Sequence, residues 1–403
     1  MTTRYRITAL GALLAATALL AACEPPPVQT VQRGYRGTGM VEVYRPAALA
    51  AAAALNTPPP VSPPAPADGP PASQVFKNVK VLGDLSAAQF AQIMVDMTAW
   101  VAPQQGCTYC HVATDFADDS LYTKVVSRRM LQMTQHINAD WKSHVAQTGV
   151  TCFTCHRGLN VPANIWYRSP DATQTRGVLG NKAGQNAPAM TVGLTSLPND
   201  PFSAYIGGEG DIRVVSQTAL PSNGHPSMIK QTEATYGLMM HMSKALGVNC
   251  TYCHNSRSFA SWELSTPQRS TAYYGIRMAR DLNSNYLGSL AGVFPPDRLG
   301  PTGDVPKVDC ATCHQGAYKP LYGADILNGH PGLTGGVKTA AAAAGTPPGP
   351  AASPAPEPAA PGPAAAGSPL PPNSATGATS PPEAPPKGSD GGVAAPNSPT
   401  APR

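Results

Sequence analysis

The strongest constraint on this chain is the stretch Cys107-Thr-Tyr-Cys110-His111, because its Cys-x-x-Cys-His spacing returns three more times. The other copies are Cys152/Cys155/His156, Cys250/Cys253/His254 and Cys310/Cys313/His314. Two cysteines three apart can add across the two vinyl groups of one haem, and the histidine that follows is placed to bind the iron from the proximal side. Structural zinc in Cys-x-x-Cys knuckles is the alternative, but it would not require a histidine after the second cysteine in all four copies. The pattern therefore reads as four covalently bound c-type haems.

That reading limits the fold. Of the 45 prolines 30 lie outside the haem region, so the folded part is smaller than the 403 residues and runs from about Val75 to about Gly336. This leaves roughly 65 residues per haem, too few for four independent cores. The macrocycles are expected to supply much of the apolar interior. The expected class is a mainly α multihaem cytochrome c, built as two pseudo-symmetric dihaem units with long irregular connectors and little β.

The N-terminus carries Arg4 and Arg6, then an apolar run from Ile7 to Ala22 that is shorter than a bilayer span. It reads as an export signal over residues 1–22. Its end, Leu20-Ala21-Ala22-Cys23, resembles a lipoprotein lipobox, and of nine cysteines only Cys23 is left once eight are assigned to haem. Cys23 is expected to be lipidated. Plain cleavage and retention of the run as an anchor are the competing outcomes. Loss of Arg4 and Arg6 takes the formal charge from +5 to +3, and haem propionates lower it further, so the sequence carries no nucleic-acid footprint.

Along the chain, residues 23–74 read as an anchored segment and linker, with a short strand near Met40 to Tyr44, an alanine run and a proline-rich spacer. The first dihaem unit is expected at 75–158. Its first helix begins at the capping box Ser86 to Gln89 and places Phe90, Ile93, Met94, Met97 and Trp100 on one stripe. A second follows Asp118-Asp119-Ser120, with Val126, Met130, Met133, Ile137 and Trp141 on its apolar face. An irregular connector over 159–227 is expected to wrap the core, with a strand at Asp211 to Val215.

The second unit, 228–316, repeats the first. Cys107 to Ala117 reads CTYCHVATDFA and Cys250 to Ala260 reads CTYCHNSRSFA, while Cys152 to Gly158 is matched by Cys310 to Gly316. A C-terminal wrap at 317–336 and a disordered Pro/Ala-rich tail at 337–403 complete the expected organisation.

The repeat also ranks the sixth ligands, which decide between electron transfer and substrate chemistry. Aligning the first and third units pairs Met94 with Met239 and Met97 with Met242, which makes Met94 and Met239 the first choices. His241 is a rival at the third iron, and Met97, Met240 and Met242 are substitutes; each methionine alone would be read as core filling. For the second haem, Met130 and Met133 both remain open. Aligning Ile137-Asn138 with Leu282-Asn283 pairs Met133 with Met278 and Met130 with Gly275. If Met130 is the second ligand, the fourth haem must borrow one, and His144 is the best donor, with His136 next.

With these residues in place the chain resembles the tetrahaem cytochrome c subunit of purple-bacterial photosynthetic reaction centres. The resemblance covers Cys23 and the chain from about Val75 to Gly316. It implies Met94, Met130, Met239 and His144 as distal ligands of haems one to four. It also implies a periplasmic, lipid-anchored subunit on the inner membrane, docked on the reaction-centre L and M subunits, with its haems in a row that re-reduces the photo-oxidised special pair. The third haem would lie nearest that pair, and electrons would come from soluble cytochrome c2 or a high-potential iron-sulfur protein. Arg269 would tune haem three, since a cation disfavours the ferric state, against the alternative of a solvated helix arginine.

Two other classes compete with this electron carrier without substrate chemistry. A free-standing haem shuttle shares its ligands, and a multihaem reductase would need a vacant iron lined by acid or base groups, for which no cluster is visible.

Overall fold

A computed structural model describes residues 27–32, 40–170, 189–210, 212 and 229–335. The export run, Cys23, all but one residue of the expected 211–215 strand, and the 337–403 tail lie outside these residues. Strands β1 (Gln29–Gln32) and β2 (Val41–Tyr44) form an antiparallel pair in which Val31 faces Glu42. The main helices are α1 (Pro46–Leu55), α2 (Ala87–Val101), α3 (Tyr122–Asp140), α4 (Cys152–His156), α5 (Ile229–Leu246), α6 (Pro267–Asp281) and α7 (Cys310–His314). The chain is thus mostly helical with little sheet. Among the described residues no helix is long and apolar enough to cross a membrane.

The helix boundaries follow local chemistry. Gln89 N–H donates to Ser86 Oγ at 3.1 Å and Ser86 N–H donates to Gln89 Oε1 at 3.3 Å, which satisfies donors left open at the start of α2. Before α3, Asp119 takes ion pairs from Lys80, Lys124 and Arg128 at 2.9, 3.1 and 2.8 Å. The hydrogen bond from Arg128 is the main cause that holds its carboxyl well below the usual carboxylate range. Pro267 occupies the first turn of α6, where its missing N–H costs nothing, and the helix continues through a π turn at Leu282–Leu287.

The linker differs from expectation. The alanine run forms α1, and Asn56 at its C-terminus is buried, donating to Gln315 O at 3.1 Å and accepting from Leu321 N–H. The proline-rich stretch is tied to α2, with Ser62 Oγ donating to Asp96 and Gln92 bonded to Pro63 O and Ala65 N, each at 2.7 Å. It lies against α2 because polar groups along it find partners there, 27 to 34 residues on.

Among the described residues, three apolar clusters organise the interior. One joins Val81, Leu82, Leu85, Ile93, Trp100, Leu131 and Leu333, so the 317–335 segment closes over α2 and α3. The connector contributes Trp166, Phe202, Tyr205 and Ile206 to a second, which also holds Leu238 and Ile276. Ile137, Val150 and Leu282 form the third, between α3 and the end of α6.

The same side-chain bonds recur at matching places. Asn138 Nδ2 donates to Val150 O and Val150 N–H to Asn138 Oδ1, at 2.9 and 2.7 Å. Asn283 makes the same exchange with Val308 at 2.9 and 2.8 Å. Likewise Gly158 N–H donates to Trp100 O, and Gly316 N–H to Ala245 O, both at 2.8 Å. The two asparagines are the pair that aligned Met130 with Gly275.

Candidate haem centres

The four CxxCH histidines share one hydrogen-bond arrangement. His111 Nδ1 lies 3.0 Å from Phe116 O and His254 Nδ1 lies 3.0 Å from Phe259 O. His156 and His314 reach Leu159 O and Ala317 O at 2.8 Å. A carbonyl only accepts, so each Nδ1 carries the hydrogen and each Nε2 keeps its lone pair for a metal. Burial lowers the His156 and His254 pKa values. For His314, burial, with His144 and Arg157 nearby, drives it down to about 4, which keeps the ring neutral.

Two backbone geometries hold the cysteines. At the first and third sites Cys107 and Cys250 sit in 3-10 turns, and Thr123 and Thr266 hydroxyls anchor Tyr109 O and Tyr252 O at 2.5 and 2.6 Å. At the second and fourth sites the motif is itself a short helix, α4 or α7. Thr151 N–H donates to Thr154 Oγ1 and Asp309 N–H to Thr312 Oγ1, at 3.0 and 2.9 Å. Each of these helices ends in a left-handed residue, Arg157 (φ 51) or Gln315 (φ 49).

A cavity of about 630 Å³ adjoins the first two sites. Cys107, Cys110, His111, Cys152, Cys155 and His156 line it, and so do Met94, Met97, Met130 and Met133. The Met94 and Met130 carbonyls each accept a threonine hydroxyl one turn on, from Thr98 at 2.7 Å and Thr134 at 2.9 Å. Met239 packs with Phe202, Tyr205 and Leu238 in the second apolar cluster. His241 is buried against Phe202 and points at the fourth site, its Nε2 3.6 Å from Asp309 Oδ1. Burial opposes its charge, but Asp309 and Cys310 outweigh that and push its pKa up to about 9.

His144 reaches the fourth site from a short helical turn, Lys142–Val145. Its Nδ1 lies 2.9 Å from Thr271 O, which leaves Nε2 as the acceptor. Its ring centroid is 6.1 Å from that of His314. Two imidazoles bonded to one metal from opposite sides, each through a nitrogen at roughly 2 Å, have centroids about 6 Å apart. Gly275 makes the room: a Cβ there would fall 2.5 Å from His144 Cε1 and 2.8 Å from Nδ1. His136, the second choice, instead binds Asp140 and Asp281 at 2.7 and 2.6 Å.

Cys155 and Cys313 adjoin, with Cα atoms 4.4 Å apart and sulfurs joined as a disulfide. Joining the two sulfurs to each other and adding each to a vinyl group are alternative fates of the same thiols. Their closeness places the second and fourth motifs side by side. Arg157 spans the junction, donating to Leu55 O, Asn56 Oδ1 and Cys313 O at 2.7, 3.2 and 3.2 Å. Arg269 lies 4.1 Å over the Trp262 ring and donates to Ser261 O at 2.7 Å, and its charge lowers the pKa of His254.

Sequence reasoning missed Asn56 and Arg157, which join elements more than 100 residues apart.

Paired cysteines followed by a histidine with its Nε2 freed, on a helical scaffold, define a c-type cytochrome. Residues 24–334 match the family described as the photosynthetic reaction centre cytochrome C subunit. The photosynthetic reaction center cytochrome c subunit of Rubrivivax gelatinosus is 55% identical over 85% of this chain and 94% of its own length. The subunits of the same name from Thermochromatium tepidum and Roseobacter denitrificans are 45% and 39% identical, over 88% and 80% of this chain and 87% and 90% of theirs. The chain belongs to the reaction-centre cytochrome c subunit family. It is accordingly an electron carrier of photosynthesis with covalently bound c-type haem, associated with a membrane-bound reaction centre.

Proposed function

We propose that the chain carries four haems in two dihaem units and re-reduces the photo-oxidised special pair through them. Each pair of CxxCH cysteines, Cys155 and Cys313 included, forms thioethers. His111, His156, His254 and His314 are the proximal ligands, and Met94, Met130, Met239 and His144 the distal ones. When bound, each haem supplies a one-electron ferric/ferrous couple.

The protein's part is to hold and fill both axial positions. Backbone carbonyls fix the four proximal tautomers, and α2, α3 and α5 present the methionines. The Asn138 and Asn283 bonds hold the helix positions of Met130 and Gly275 in common register with the second and fourth motifs. Closed axial positions leave no place for a substrate, which favours electron transfer over reductase chemistry.

The observation that carries this reading is the approach of His144 to His314, with ring centroids 6.1 Å apart and Gly275 leaving room for the His144 ring. Without a distal donor there the fourth iron would be open; with it, every site has two axial ligands.

On this reading Cys23 is lipidated and anchors the protein at the periplasmic face of the inner membrane. The L and M subunits form its docking surface, and soluble cytochrome c2 or a high-potential iron-sulfur protein supplies its electrons. Haem counting and carbon monoxide titration of the purified subunit test the core of it. Four covalent haems and no stoichiometric carbon monoxide binding are expected; fewer haems, or one open iron per molecule, would overturn it.

A further inference from the structure

Lys124 stands in the first turn of α3, and its side chain turns back onto the loop that follows the first CxxCH motif. Its Nζ donates to Phe116 O at 2.8 Å and to Asp118 O at 2.7 Å, and pairs with Asp119 at 3.1 Å. Phe116 O is also the carbonyl that lies 3.0 Å from His111 Nδ1. One oxygen therefore accepts both from the histidine of the motif and from a lysine that is only 6% exposed. A cation in the first turn faces the positive end of the helix dipole, so the placement is not one that α3 itself favours.

Two donors on one carbonyl draw electron density from the same oxygen, so each leaves it a weaker acceptor for the other, and the charge-assisted bond from the lysine is the stronger of the two. His111 then gives up less of its Nδ1 hydrogen. Its Nε2 stays less basic, and ferric iron bound there is less well stabilised. The ammonium charge acts with the same sign, and Asp119 does not cancel it, because that carboxylate also serves Lys80 and Arg128. The third motif is the internal comparison. Thr123 and Thr266 hold Tyr109 O and Tyr252 O alike, and the bridges Val112 to Asp115 and Asn255 to Ser258 shape the two loops alike. The residue after Thr266, however, is Pro267, which has no side-chain donor.

We propose that Lys124 is a positioning residue of the first haem: by sharing Phe116 O with His111 it limits electron donation from the proximal imidazole and holds that haem's reduction potential up. This rests on the reading of Cys107, Cys110 and His111 as a haem site. The device belongs to the first motif and sets it apart from the third, whose CxxCH loop is otherwise built alike.

The test is a spectroscopic redox titration of the purified full-length holoprotein, with the first haem's wave assigned as the one that a His111→Met variant moves or removes. Lys124→Met is expected to shift that potential downward by more than any other haem moves. Lys124→Arg, which keeps the cation and its donors, is expected to retain most of the original value. A loosened loop would also lower the potential by admitting water to the ferric haem, so Asp119→Asn is the control. It releases the loop's ion pairs but leaves Lys124 on Phe116 O and removes a negative charge, and the potential is expected to stay or rise. An unchanged or raised first potential in Lys124→Met, an equal shift of all four haems, or a fall in Asp119→Asn would overturn the proposal. Where Lys124→Met gives no holoprotein, Lys124→Gln, shorter and uncharged, decides by the same criteria. Peptide mass analysis of the same samples separates the two failures, since bare thiols at Cys107 and Cys110 would sink the haem assignment and not the role of Lys124.

Discussion

The imidazole of His144 fills the space that a side chain at Gly275 would need, 2.5 Å from a Cβ placed there. Gly275 is the helix position matched to Met130, so at the fourth site a side chain brought in from beside α3 stands where α6 offers none. Gly275→Ala is expected to push the imidazole off its seat, at a cost of about 1–3 kcal/mol. The fourth haem should then lose its second nitrogen ligand and bind carbon monoxide when ferrous. Carbon monoxide titration with electron paramagnetic resonance reads this out, and an unaltered fourth haem would contradict the seating.

Met130 and Met133 line the same cavity, and only one can serve the second iron. Met130→Leu keeps the volume and removes the sulfur. It is expected to lower the second haem's potential and open it to carbon monoxide, while Met133→Leu changes stability by less than about 1.5 kcal/mol and leaves the spectrum alone. The reverse pattern would transfer the role to Met133.

Asn138 and Asn283 each close a two-way exchange with the residue two before a CxxCH motif. Asn138→Ala would strand a buried N–H and carbonyl at Val150, and the Leu333 carbonyl as well. A loss of about 2–3 kcal/mol is expected from urea denaturation, with a comparable loss for Asn283→Ala. A cost below about 0.5 kcal/mol for both would show that the clamps do not hold the motifs.

His136 bridges α3 to α6 through Asp281, with Asp140 on its other nitrogen and Tyr286 stacked on its ring at 5.1 Å. Arg129 lies across the same tyrosine. The Asp281 hydrogen bond is the main cause that raises the His136 pKa above its ordinary 6.5. A raised histidine contributes stability that is fully present below 6.5 and is lost as pH rises through its folded value. Burial opposes the Asp281 charge, but its partners, His136 first, lower its pKa below 3.8, so its share is lost only as pH falls through that lowered value. Asp281→Asn should therefore cost on the order of 1 kcal/mol near pH 6 and markedly less near pH 9. Chemical denaturation at the two pH values checks the sign; a cost that grows with pH would refute the bridge.

The haem motifs were legible in the sequence because covalent attachment fixes their spacing whatever the fold. The main helices were legible from their apolar stripes, and α2 also from the Ser86 and Gln89 pair. The approach of His144 to the fourth motif was reachable only through a broken symmetry, the glycine opposite Met130.

What sequence could not show depends on partners brought together by the fold. Asn56 meets Gln315 across 259 residues, and Thr251 meets Val41 across 210. The alanine run after Pro46 favours a helix, but nothing local marks that helix as docked on the core. The adjacency of Cys155 and Cys313 is likewise a property of two motifs packed together, invisible in either alone.

The most direct test of the electron-transfer role is flash-induced absorbance change of the c-type haems in native membranes. Rapid haem oxidation matched in time to re-reduction of the special pair is expected, and it should disappear when this chain is deleted. Special-pair re-reduction at an unchanged rate, with no haem oxidation after the flash, would contradict it.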